Sequence, residues 1–397
     1  MNRLFASAAL VGLGYCMAEF MRNERPATRS SNELDKTSEG SLGPPGRAAP
    51  LPENVQALDP RFNKYMLGNT RLERLWTGAR WAEGPAWFAD LGLLVFSDIP
   101  NDRILKYDEK SGRVSVLRQP SGYANGNTRD LEGRLITCCQ DRRAVIRTEH
   151  DGAHTVLAGE FEGKRLNGPN DVVVKSDGSI WFTDSGYGLG SYYESEHRSA
   201  EELIPKALYR FDPRSGGLDA VSKEHVRPNG IAFSPDEKKL YVSDSGLTDG
   251  PDKPTTITVY DAGDDGHLGN PQVFFDLRDL GSRAAADPPQ ASGSGRKERR
   301  NSAFRGRAPM AGILNYPIAG GIRVDEDGNV WAGTGWGGPE TNGVVVVAPD
   351  GAPIGRIYTP EIVANVTFGG ARRNRLFMTG SSSIYALHVN VAGAGLA

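Results

Sequence analysis

One pattern of short strands returns six times along this chain, and it restricts the fold more than any other feature. Each unit opens on a polar or small residue and an apolar strand, then a turn, then a second strand, with three of the six closing on Ser or Thr followed by Asp. A third alternating strand and a glycine turn follow where the unit is fullest. The copies start at Glu83, Asn125, Asn170, Asn229, Gly320 and Asn365. The fullest copy runs through Glu83-Gly-Pro-Ala-Trp-Phe, Leu-Leu-Val-Phe-Ser-Asp98 and Arg103-Ile-Leu-Lys-Tyr-Asp-Glu-Lys-Ser-Gly112. Repetition of such a short-strand unit predicts an all-β chain, a six-bladed β-propeller, in which radial closure protects the sheet edges. The 49 Gly and 25 Pro agree with this and argue against a helical bundle.

The propeller is expected over residues 59–391. Residues 22–52 are rich in Ser, Gly, Pro and charge, with little apolar surface to offset ordering entropy, and read as a linker. Ahead of it, the apolar run Leu4–Ala18 suits a targeting peptide or a disordered tail, so residues 1–52 fall outside the domain. The compartment is then cytoplasmic, or secreted or organellar if that run is a signal. The run is too short for stable membrane insertion. The longest step between units, from Asn229 to Gly320, holds an irregular insertion over residues 283–317 with the basic run Arg296-Lys-Glu-Arg-Arg300. It reads as a solvated loop, or as a segment foreign to the native protein.

A net charge of −3 excludes a basic nucleic-acid-binding surface. Three cysteines, two of them adjacent, make no disulfide framework. The six histidines show no zinc-hydrolase spacing, and neither a Gly-x-Ser-x-Gly elbow nor a phosphate-binding loop is present. What remains is the ring. In a propeller the first strand of each blade lines the channel, so the residues that open the six units converge. Glu83, Asn125, Asn170, Asn229 and Asn365, with Gly320 in the fifth unit, would offer one carboxylate and several amide oxygens to a hard cation such as Ca²⁺ or Mg²⁺. The same residues also suit Asx turns before each strand. Asp98, Asp184 and Asp244, at the ends of second strands, read as turn residues that accept from backbone N–H groups.

Four motifs, Trp81-Ala-Glu-Gly-Pro-Ala-Trp87, Asn125-Gly-Asn-Thr-Arg-Asp130, Arg165-Leu-Asn-Gly-Pro-Asn-Asp171 and Arg227-Pro-Asn-Gly-Ile-Ala-Phe-Ser-Pro-Asp236, resemble the gluconolactonase, regucalcin and luciferin-regenerating enzyme family of six-bladed propellers. The resemblance implies a hydrolase that opens sugar lactones with a divalent cation, Ca²⁺ or else Mg²⁺, Mn²⁺ or Zn²⁺, acting on water. It implies Glu83, Asn170 and Asn229 as metal ligands, with Asn125, Arg165 and Asn170 on the substrate side. Its catalytic Asp is missing, because Gly320 stands there. A propeller that binds calcium or a small molecule without catalysis is therefore the alternative, and Gly320→Asp is expected to raise turnover. A protein-binding propeller lacks its Gly-His and Trp-Asp signature. The expected partner is a small lactone, with no nucleic acid, and the protein is expected to be a monomer or weak oligomer.

Overall fold

The computed structural model describes residues 51–190, 193–280 and 316–395. Residues 1–52 and the insertion 283–317 lie outside the described residues, apart from Leu51, Pro52, Tyr316 and Pro317. Six antiparallel sheets form a ring, a six-bladed β-propeller. The innermost strands are Ala82–Phe88, Ala124–Arg129, Pro169–Val174, Pro228–Phe233, Ile318–Val324 and Val363–Gly369 for blades 1 to 6. Each lies against the innermost strands of the blades on either side. A short hairpin, Glu160–Phe161 with Lys164–Arg165, sits on the crossover from blade 2 to blade 3.

Burial on both faces of a blade explains the strand composition, since a sheet sandwiched between two others needs apolar side chains at successive positions rather than at alternate ones. In blade 5, Gly343–Val347 (Gly-Val-Val-Val-Val) is buried throughout. The core is therefore divided among the spaces between blades. Trp87, Phe96 and Leu105 of blade 1 pack with Phe377 and Ile384 of blade 6. Val95 and Ile104, on the other face, meet Ala124 and Leu135 of blade 2.

Two pairings made by the N-terminal part of the described chain complete the outer rim. Val55–Ala57 adds a fifth strand to blade 5 along Pro353–Tyr358. Blade 6 takes only three strands from the C-terminal end, and its fourth is Glu73–Thr77, antiparallel to Ser383–His388. The ring is thus clasped by strands from opposite ends of the domain. Arg375 reinforces the clasp by pairing with both Glu73 and Glu109 of blade 1.

The innermost strand of every blade slips register beside its first residues. Such bulges re-aim side chains, here toward the channel. Gly84 shows what the geometry demands: its φ is 56°, and a Cβ there would lie 2.1 Å from the carbonyl oxygen of Asn125. Only glycine lets blades 1 and 2 approach so closely.

Candidate active site at the mouth of the channel

Three second-strand aspartates fix the approach to the ring. Asp98 accepts from the backbone N–H of Arg80 and Trp81. Asp184 accepts from Asn167 and Gly168, and Asp244 from Val226, Arg227 and Gly246. Each therefore pins the chain just before Glu83, Asn170 or Asn229, as expected of turn-capping carboxylates. Burial still lifts the Asp184 carboxyl to about 6, against the pull of its two N–H donors.

Glu83, Asn125, Asn170 and Asn229 occupy equivalent positions, one residue after the pairing that opens each innermost strand. All four side chains are buried. Hydroxyls on the preceding blades hold this level: Ser97 Oγ donates to the main-chain oxygen of Asn125 at 2.7 Å, and Thr183 Oγ1 to that of Asn229 at 2.6 Å. Ser243 Oγ of blade 4 donates in the same way to the main-chain oxygen of Gly320 in blade 5 at 2.7 Å, which places Gly320 at the level of Asn229.

Blade 6 differs from the sequence expectation. Val366 pairs with Met378 as Ile231 pairs with Val242, so the ring position is Ala364 and Asn365 lies one residue further on. The bulge absorbs a residue and hides this shift from sequence alignment of the repeats. Asn365 still reaches the ring, donating through Nδ2 to Glu83 Oε2 at 3.1 Å. It shares its register with Asp171, whose Oδ1 accepts from the N–H of Val172 as Asn365 Oδ1 accepts from Val366.

Glu83 is the one ionisable member of the ring. Its Oε2 also accepts from the N–H of Gly84 at 2.7 Å. Burial first, and the charge of Asp171 second, push Glu83 up to about 8, with Glu194 adding to the effect. Asp171 is itself held by Arg323, 3.3 Å from its Oδ2. Asn229 uses its amide N–H on Ser245 Oγ at 3.2 Å, leaving its carbonyl oxygen for another partner. Asn125 Oδ1 is buried with no hydrogen-bond partner. Arg165 is exposed on the crossover hairpin, where its guanidinium donates to the Arg142 carbonyl oxygen.

A single carboxylate with several amide oxygens, one of them unpartnered, fits a hard cation. Such ions take oxygen donors, and an orphaned buried carbonyl is costly without a ligand. The donors are nearly all neutral. Among the described residues no group of three or more His, Cys, Asp or Glu side chains gathers to hold a metal.

Gly320 is more than a missing side chain. A Cβ built there would lie 2.1 Å from the carbonyl oxygen of Ala364. Backbone cannot rotate aside as a side chain can, so Gly320→Asp requires the innermost strand of blade 6 to move. The expected outcome is therefore the reverse of a simple restoration: destabilisation of at least about 1–3 kcal/mol, the usual cost of overpacking, with no gain in lactone turnover. Urea denaturation and a hydrolysis assay of the variant check this, and a gain in turnover at unchanged stability would show that blade 6 yields freely.

Several residues at the mouth were not anticipated from sequence. The loop after the second strand of blade 3 crosses the opening: Tyr193 donates its hydroxyl to the carbonyl oxygen of Arg80, in front of blade 1, at 2.8 Å. Asp141 of blade 2 anchors the same loop through Ser195, Glu196 and His197. Arg227 stacks over the Tyr187 ring at 4.5 Å, and Trp81 meets Trp336 at 5.7 Å across blade 6.

The comparisons with known proteins agree with this architecture. Residues 81–382 match the family model described as the SMP-30/Gluconolactonase/LRE-like region. A gluconolactonase of Zymomonas mobilis is 27% identical over 355 residues, 85% of this chain and 87% of the relative. A pentonolactonase of Haloferax volcanii is 25% identical over 76% of this chain and 82% of its own length. Among solved structures, a gluconolactonase of Xanthomonas campestris is 32% identical with a TM-score of 0.68, covering 87% of this chain and 98% of that one. With the ring and the mouth motifs inside the matched span, the chain belongs to the SMP-30/gluconolactonase/LRE-like family.

Proposed function

We propose that this protein hydrolyses lactones of sugar acids, with a divalent cation held by Glu83, Asn170 and Asn229. The observation that carries the reading is the ring itself: one buried carboxylate among amides at the mouth of the channel, with Asn125 Oδ1 buried and unpaired. Family membership and the lactonase names of its relatives in Zymomonas, Haloferax and Xanthomonas support it.

When bound, the cation supplies positive charge that polarises a lactone carbonyl and makes water a better nucleophile. The protein's own residues do the rest. Asn125 and Asn170 present amide groups to the hydroxyls and ring oxygen of a sugar lactone. Arg165, on the crossover hairpin before Asn170, is the cationic contact for its outer hydroxyls. Tyr193 and the blade 3 loop narrow the opening, which limits the water around the reacting bond. Ring opening consumes one water and yields a hydroxy acid.

Gly320 gives weight to a second reading, a propeller that binds a cation or a small molecule without turning it over, because the ring carries one carboxylate where the resemblance implies two. A pH-stat assay with glucono-lactone and other aldono-lactones separates the two. Hydrolysis that a chelator abolishes and added cation restores is the expected result. Calorimetric cation binding with no hydrolysis of any lactone would favour the second reading.

A further inference from the structure

With Gly320 unable to carry a base, that role can fall only to another carboxylate at the mouth. The strand-end aspartates are spent: Asp98, Asp184 and Asp244 each accept from two or three backbone N–H groups. Asp171 is paired with Arg323 and bonded to its own strand. Asp249 pairs with Arg227 and Lys206, and Asp141 holds the loop through Ser195 and His197.

Glu194 stands apart. It lies on the blade 3 loop beside Tyr193, and its Oε2 accepts from Gln140 Nε2 of blade 2 at 3.1 Å. Gln140 is a neutral partner, 1% exposed, and its own Oε1 is buried without a donor. The charge of Glu194 is felt at Glu83, and burial raises the Glu194 carboxyl while its bond from Gln140 and the charge of Arg227 draw it part of the way back. The loop that carries it is fixed on both flanks, by Tyr193 on Arg80 and by Ser195 on Asp141. A carboxylate so held between two anchored neighbours, with its charge felt at Glu83, is a pre-positioned proton acceptor.

We infer that Glu194, delivered across the mouth by the blade 3 loop, is the general base of lactone hydrolysis in this protein and replaces the Asp that the fifth unit lacks. The inference rests on the lactonase reading above. Water attacks the lactone carbonyl carbon as its proton passes to the Glu194 carboxylate. The bond between the carbonyl carbon and the ring oxygen then breaks, and the departing alkoxide takes the proton from Glu194. The carboxylate is regenerated, and lactone plus water has become the open hydroxy acid. The undonated Gln140 Oε1 lies beside this path as an acceptor for a water or for a substrate hydroxyl.

The test uses the full chain with added cation and glucono-lactone. Glu194→Gln and Glu194→Ala are expected to lower kcat by on the order of 10²-fold or more, the scale of a lost positioned base, with KM changed little. Formate should restore part of the turnover to Glu194→Ala and none to wild type, a rescue that a structural role would not produce. Calorimetric cation affinity should be the same in wild type and Glu194→Gln. Glu196→Gln, an exposed acid two residues along, serves as the control and should retain wild-type activity. Glu194 variants within about threefold of wild type overturn the inference. So does a wild type that binds cation and lactone yet hydrolyses none, since Glu194 would then not replace the missing base, while the binding site itself stands. A wild type that binds neither brings down the lactonase reading as well.

Discussion

Glu83→Gln is expected to weaken cation binding and strengthen the metal-free protein at the same time. As the one carboxylate of the ring, Glu83 supplies the negative charge that a hard cation seeks, and its loss should lower affinity by about 10²-fold or more, beyond the usual cost of an outer-shell change. Without cation the balance reverses. Burial first, and the Asp171 charge second, disfavour ionisation and push the folded carboxyl up to about 8 from its ordinary 4.5. Folded protein therefore holds this proton more tightly than unfolded chain, and stability should fall as pH rises from 4.5 toward 8. Below that window both states are protonated and the penalty vanishes; above it the penalty is complete. The Gln side chain cannot ionise, so the variant should lose this part of the slope and be the more stable protein at pH 8. Urea unfolding of both proteins in chelator at pH 5 and pH 8 measures it, and calorimetric titration measures the affinity. Equal slopes would mean that Glu83 is solvated or paired in the metal-free ring, and equal affinities would remove it from the cation site.

Phe377→Ala should have the largest effect on stability. The side chain is fully buried, stacks on Trp87 of blade 1 at 5.3 Å and meets Tyr107 at 6.5 Å. Truncation leaves a cavity between the first and last blades, where packing does most to hold the ring shut, beside the Arg375–Glu109 ion pair. A loss of about 3–5 kcal/mol is expected, the range for a buried aromatic. Val273→Ala, on the exposed outer strand of blade 4, should stay within about 0.5 kcal/mol. Denaturant midpoints decide it. A Phe377 variant as stable as Val273→Ala would mean that the seam between blades 1 and 6 contributes little.

How much of this could be read from sequence follows from how local each feature is. The blades were legible because their opening polar residues, strand-end aspartates and glycine turns recur within a few residues of one another. Glu83, Asn125, Asn170 and Asn229 fall at one level for the same reason. Asn365 does not, because a bulge can place the extra residue on either side of the pairing, and only the opposite strand shows which. The clasp was invisible: Glu-Arg-Leu-Trp-Thr, residues 73–77, has no counterpart in the repeat, and its partner is the last strand of the chain. Glu194 escaped notice because its loop belongs to blade 3 alone and its contacts lie on blades 1 and 2. The obstruction at Gly320 depends on the Ala364 backbone, which no residue type in the fifth unit reveals.

The clasp also sets a timetable. Thr77 and Ser383, whose hydroxyls meet at 2.8 Å, are 306 positions apart. During synthesis the strand Glu73–Thr77 leaves the ribosome early and waits, its edge unpaired, until almost every other blade has been made. Blades 1 to 4 can form in sequence behind it, but the circle cannot lock before the last strand emerges. Closure of so long a loop is slow, and an unpaired strand edge is open meanwhile to pairing with a neighbouring chain. The bond that makes the finished ring durable is thus also the step at which its biogenesis is most exposed.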